Sequence, residues 1–167
     1  MENGNQGLPW QALVVEDEPD NLEVIVATLR WQKMTVRTAR NGFEAIEALK
    51  DFTPNFVLCD LAMPDMNGWQ TLTAIRNNSK TALIPVIALS AYAMVGDREK
   101  ALASGFDGYI TKPIDVLTFF DTLKVILGSI VRQIPATKDK KPTTAPEKTA
   151  EPTPLTTPPP GQNNTNK

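Results

Sequence analysis

Four apolar residues in succession, Phe56, Val57, Leu58 and Cys59, stand between Pro54 and a turn-forming run that holds Pro64, Asp65, Asn67 and Gly68. An unbroken apolar run of this kind reads as a strand buried on both faces, which places the chain among parallel sheets covered by helices on each side. Asp60 closes the strand. A carboxylate at that carboxyl edge faces the region where open α/β sheets bind ligands, although Asp60 taken alone also suits the start of a turn.

Three other apolar runs end in chemistry of the same kind. Ala12, Leu13, Val14 and Val15 lead into Glu16, Asp17 and Glu18; residues 85–89 lead into Ser90 and Ala91; residues 108–111 lead into Lys112 and Pro113. In a parallel sheet these four edges can converge, bringing together two acids, a nucleophilic carboxylate, a hydroxyl and an amine.

Helical periodicity fills the intervals. Pro19 suits a first turn, Glu18, Asp20 and Glu23 favour the positive end of a helix dipole, and Leu22, Ile25, Val26 and Leu29 carry a stripe to residue 31 or 32. Residues 35–39 alternate as a second strand, and Asn41 and Gly42 turn into a second helix with Phe43, Ile46 and Leu49 on one face. Trp69, Leu72 and Ile75 line a third helix. Residues 81–89 form the fourth strand and its approach, 94–104 a fourth helix stopped by Gly105, and 106–111 the fifth strand. Asp115 caps a last helix with a core stripe of Leu117, Phe120, Leu123 and Leu127, leaving Val116, Phe119, Val125 and Val131 outside it as surface for a partner or dimer contact. Five strands alternating with five helices imply a doubly wound α/β fold.

The composition divides the chain. Eight of the 14 prolines fall within residues 135–167, where Leu155 is the one large aliphatic residue. Such a segment buries too little apolar surface to offset the entropy of ordering. The expected organisation is a flexible N-terminus over 1–9, one folded domain over 10–132 and a disordered Pro/Thr-rich tail over 133–167. A net charge of −2 gives no electrostatic footprint for nucleic acid or an anionic membrane. A single cysteine excludes a disulfide framework, no signal peptide is visible, and no apolar run approaches the roughly 20 residues that cross a bilayer, so a cytoplasmic setting is expected. The chain has no histidine, so any phosphohistidine donor is another molecule.

The residue types at the strand ends suit phosphoryl chemistry. A carboxylate such as Asp60 can attack phosphorus, but its charge repels an anionic phosphoryl group. Glu16, Asp17 and Asp60 supply the clustered hard oxygens that Mg²⁺ prefers, Lys112 supplies a point positive charge, and Ser90 a hydroxyl that can register phosphoryl oxygens.

With Glu16 and Asp17 after the first strand, Asp60 followed by Met63, Pro64, Asp65, Met66, Asn67 and Gly68, Ser90 and Ala91 after the fourth, and Lys112 and Pro113 after the fifth, residues 10–132 resemble a receiver domain of the bacterial two-component response regulators, of the stand-alone, single-domain type. The resemblance implies a flavodoxin-like (βα)5 fold with strand order 2-1-3-4-5. It implies a phosphorylation-dependent switch in a phosphorelay, a phosphoacceptor regulator rather than an enzyme, catalysing only its own phosphoryl transfer and dephosphorylation. Asp60 becomes the phosphoacceptor, Asp17 a direct ligand of Mg²⁺ or Mn²⁺, Glu16 a ligand through water, and Ala62 a ligand through its backbone carbonyl. Lys112 would bridge the phosphoryl group across a cis Lys112-Pro113 bond. Ser90 and Tyr109 match the switch pair, although Ser90 also suits a turn and Tyr109 a packed strand aromatic. The implied partners are a histidine kinase or histidine phosphotransfer protein and a downstream protein target, met on the face of the fourth helix, fifth strand and fifth helix; a phosphorylation-dependent homodimer is also compatible. Two alternatives stand beside this reading. One is a haloacid-dehalogenase-like phosphatase, which expects a second Asp where Ala62 stands, and the other is a receiver used as an unphosphorylated scaffold.

Overall fold

The computed structural model describes residues 10–91 and 96–133. The expected flexible segment 1–9, the tail beyond Gln133, and Met94 and Val95 at the expected start of the fourth helix lie outside the described residues.

Strands β1 (Gln11–Val15), β2 (Thr35–Ala39), β3 (Phe56–Asp60), β4 (Val86–Ser90) and β5 (Gly108–Thr111) alternate with helices α1 (Pro19–Trp31), α2 (Gly42–Ala48), α3 (Gly68–Asn77), α4 (Asp97–Ala103) and α5 (Val116–Gln133). All pairings are parallel and the sheet runs β2-β1-β3-β4-β5, as expected. The strand period of two sorts the core into layers. Ala12, Val14, Leu58, Ile87 and Leu89 pack with Ile25, Leu29, Phe119 and Leu123 of α1 and α5. Their neighbours Leu13, Val15, Val57, Cys59 and Ala88 pack with Ala45, Leu72, Ile75 and Ala101 of α2, α3 and α4. Residues of β3 and β4 are buried throughout, which is why these strands read as continuous apolar runs.

Local chemistry sets the helix starts. Pro19 occupies the first turn of α1. Asn41 caps α2 by accepting the Glu44 N–H at 2.9 Å, and Asn67 and Gln70 form a reciprocal capping box at the head of α3. Asp115 accepts the Leu117 N–H at 3.0 Å where α5 begins. Gly96, at a φ of 97°, precedes α4, a conformation that favours glycine.

Two helix faces differ from the sequence reading. Phe43 is 65% exposed and Ala45 is buried in the core, while Ile46 and Leu49 pack against it as expected. On α5 the core stripe is Phe119, Leu123 and Leu127, at spacings of four, with Phe120 packed against it as expected, while Leu117 is 89% exposed. Phe119 is therefore core, Val116 and Val125 are exposed as expected, and the Val131 side chain lies outside the described residues.

Arg76 fastens the end of the sheet opposite the acidic edge. Its guanidinium donates to the carbonyls of Ala82, Ile84 and Gly105 at 3.0, 2.8 and 3.1 Å and to Asp107 at 2.6 Å. Asp107 in turn accepts the Val86 N–H at 2.8 Å.

Candidate functional site

The strand order reverses between β1 and β3, and that switch point is where an open α/β sheet leaves a crevice. Val15 pairs with Cys59 across these two strands, so Glu16 and Asp60, the next residues of each, emerge side by side. Glu16 is held by its N–H donating to Ala39 O at 3.0 Å. On the other flank, Asp60 pairs with Leu89 and Ser90 with Thr111, and the Lys112 N–H donates to Ser90 O at 2.7 Å. The register of four strands thus delivers Glu16, Asp17, Asp60, Ser90 and Lys112 to one edge.

The acids converge. One carboxylate oxygen each from Glu16, Asp17 and Asp60 lies within 4.8 Å of the others. Glu16 is fully buried, Asp60 is 3% exposed, and Asp17 is half-buried at the mouth. Lys112 supplies the counter-charge: its Nζ donates to Glu16 Oε2 at 2.9 Å, Glu16 Oε1 at 3.2 Å and Asp60 Oδ2 at 2.8 Å. The second Asp60 oxygen, Oδ1, accepts the Ala62 N–H at 3.2 Å. Lys112 and Pro113 are joined by a cis peptide bond, as the resemblance implied.

Burial pushes the Glu16 carboxyl above its usual value and the charge of Asp60 adds to the rise, against the pull of Lys112. For Lys112, burial acts downward, but its hydrogen bonds to Asp60 and Glu16 outweigh it and hold the amine above its ordinary value. Cys59, fully buried beside these acids, has its thiol pushed far up by burial and by Asp60 and Glu16. It serves as a small core residue and not as a nucleophile.

The segment between β3 and α3 turns tightly over the site. Asp65 sits at a φ of 64°, a left-handed conformation that Asp tolerates, and the Gly68 N–H donates to Leu61 O at 3.2 Å. A Cβ at Gly68 would lie 2.3 Å from the carbonyl oxygen of Asp60, so only glycine lets α3 begin this close to the acid-bearing strand. Ala62, in this turn, is exposed at the mouth of the site.

Ser90 is 3% exposed at the end of β4, and Tyr109 is 9% exposed on the neighbouring strand within the core layer of α2, α3 and α4. Glu16, Asp17, Asp60, Ala62, Ser90 and Lys112 thus lie at this edge, whereas Tyr109 pairs with Ala88 within the sheet, short of the edge. The pairing of Lys112 with Glu16, 96 positions apart, had no signal in the sequence. Three clustered carboxylates with hard oxygen donors fit a divalent cation of the Mg²⁺ type. No helix among the described residues is long and apolar enough to cross a membrane.

Residues 12–124 match the response regulator receiver domain family. An uncharacterised protein of Leptolyngbya boryana is 40% identical over 105 residues, covering 63% of this chain and 80% of that protein. The polar-differentiation response regulator DivK of Brucella anthropi is 31% identical over 121 residues, covering 72% of this chain and 98% of DivK. Among solved structures, the receiver domain of the sensor histidine kinase PA1611 of Pseudomonas aeruginosa, described with a magnesium ion coordinated in its active site cleft, aligns with a TM-score of 0.65 at 31% identity, covering 72% of this chain and 98% of that one. The chemotaxis response regulator CheY4 of Vibrio cholerae shares the fold, with a TM-score of 0.66 at 24% identity over 71% of this chain and 98% of that one.

Proposed function

We propose that this chain, which belongs to the response regulator receiver domain family of two-component signalling, takes a phosphoryl group on Asp60 and passes the signal on by altered protein contacts. The observation that carries this reading is the buried convergence of Glu16, Asp17 and Asp60 with Lys112 bridging two of them.

In the proposed reaction an Asp60 carboxylate oxygen attacks the phosphorus of a partner's phosphohistidine. The new P–O bond forms as the P–N bond breaks, and the electron pair of that bond leaves on the donor's imidazole. The donor is a histidine kinase or a histidine phosphotransfer protein. Asp17 directly, Glu16 through water and the Ala62 carbonyl would hold Mg²⁺ or Mn²⁺ together with Asp60, an assignment supported by the magnesium in the Pseudomonas receiver. When bound, the cation neutralises the charge that otherwise keeps a phosphoryl group from a carboxylate.

Lys112 is already aimed at Asp60 Oδ2, and exchanging that contact for a phosphoryl oxygen requires only a small shift of its flexible stem. Ser90, one register position beyond Asp60, offers its hydroxyl to another phosphoryl oxygen. Ser90 and Tyr109, on adjacent strands, would then bias α4, β5 and α5 between two arrangements. A cavity of about 370 Å³ lined by Arg98 of α4, Tyr109 of β5 and Ile114, Thr118 and Thr122 at and beyond the head of α5 supports that face as the output surface, for a downstream protein or a second phosphorylated copy. The reading places the protein in the cytoplasm, as a regulator whose only catalysis is on its own phosphoryl group.

Incubation with acetyl phosphate and Mg²⁺ tests the proposal. The intact mass should rise by one phosphoryl group, and the gain should vanish in Asp60→Asn and on chelation of the metal. A gain that persists in Asp60→Asn overturns it.

A further inference from the structure

Gly42 contributes nothing to the acid cluster, yet it meets the segment that carries it. We infer that Gly42 is a positioning residue, acting through Met66 and Thr71, for the turn between β3 and α3 and hence for the oxygens of Asp60 and Ala62; the inference rests on the cation site proposed above.

A Cβ at Gly42 would lie 2.2 Å from Thr71 Oγ1, 2.6 Å from Met66 Cγ and 2.7 Å from Met66 Sδ. The Gly42 N–H also donates to Met66 O at 3.3 Å. The first turn of α2 therefore leans on the turn and on α3 with no room between them.

Met66 is half-buried and can swing aside, but Thr71 cannot. It is fully buried, its hydroxyl donates to Asn67 O at 2.8 Å, and a β-branched side chain in a helix has few rotamers to choose from. Asn67 is the capping residue of α3, and the next residue, Gly68, lies against the backbone of Asp60 and Leu61 at distances that already exclude a Cβ. A push begun at Gly42 meets close-packed atoms at each step until it reaches the acceptor strand. In this way α2 sets where the acceptor's turn sits while supplying none of its ligand atoms.

Gly42→Ala and Met66→Ala, made in the full chain, test this against the parent. Mg²⁺ affinity is measured by calorimetry, and phosphoryl uptake from acetyl phosphate is timed at saturating Mg²⁺. A misplacement of about 1 Å at a reacting centre costs about 100-fold in rate, and loss of an outer support about 10-fold in metal affinity. Gly42→Ala should approach both losses. Met66→Ala, which leaves the turn unsupported on the same side, should weaken Mg²⁺ binding by a smaller factor. A merely structural role would lower the melting temperature and leave Mg²⁺ affinity at the parent's value. That result in Gly42→Ala, or in Met66→Ala should Gly42→Ala not fold, overturns the inference. A parent protein that takes up neither Mg²⁺ nor a phosphoryl group instead overturns the proposed function.

Discussion

Lys112→Met removes the charge that holds the acidic edge together while keeping an apolar stem of similar length. Three hydrogen bonds of 2.8 to 3.2 Å are lost, and the carboxylates that lose them are almost wholly screened from water. Removing one member of a buried ion pair costs about 3–5 kcal/mol. For a folded part of this size, roughly 3–5 °C of melting temperature goes with each kcal/mol, so a fall of about 10–20 °C is expected in metal-free buffer at neutral pH.

The size of that fall depends on pH and on metal. Lys112 titrates above its ordinary 10.5, so its stabilising effect is fully present at neutral pH and would fade only as pH rises through that higher value. Glu16 titrates above its ordinary 4.5, and without Lys112 it rises further. A carboxyl raised in the folded state favours folding below its unfolded value and loses that contribution as pH rises through the folded one. The gap between variant and parent should therefore be widest at neutral pH and narrow as pH falls toward 4.5. Mg²⁺ should also narrow it by replacing the lost charge, with about 2.7 kcal/mol available at a hundredfold excess over Kd. Thermal unfolding by circular dichroism, with and without chelator at several pH values, reads all three effects. If the variant and the parent melt together in chelator at neutral pH, Lys112 is not the counter-charge of this site.

Three further outcomes follow from the packing. Leu123→Ala should cost about 2–5 kcal/mol in urea unfolding, whereas Leu117→Ala, earlier on the same helix, should stay within about 0.5 kcal/mol; equal effects would contradict the face assigned to α5. Arg76→Ala should lose about 2–3 kcal/mol of stability, since it strips charged hydrogen bonds from three carbonyls and Asp107, while Mg²⁺ affinity measured by calorimetry stays at the parent's value. The Cys59 thiol should resist an aromatic disulfide reagent in the native protein and react at once in denaturant; reaction in the folded state would mean that β3 opens far more readily than its burial indicates.

The strands were legible because the signals for them are local. Buried runs such as residues 56–60, and the alternation of 35–39, carry their own period, and once the strand ends are known the convergence of Glu16, Asp17, Asp60, Ser90 and Lys112 follows from parallel topology. The helix faces were less legible because α5 is apolar on more than one side. Leu117, Phe120, Leu123 and Leu127 form an acceptable stripe, and so do Phe119, Leu123 and Leu127; only the sheet decides which is covered. Phe43 misled for a related reason: next to Gly42, which must abut α3, its side chain is turned outward. Contacts between distant residues left no trace at all. Nothing near Arg76 announces Asp107, 31 positions away, and nothing near Lys112 announces that it divides itself between two acids.

The fastening by Arg76 has a mechanical consequence for α4. Gly105, whose carbonyl Arg76 grips, lies just past the carboxyl end of that helix, and the fully buried Ala101 seats the same end in the core. A rigid tilt of the helix would therefore pivot about that anchored end. At about 1.5 Å per residue its seven residues span roughly 10 Å, so a tilt of about 15° about that end would displace the first turn by about 3 Å.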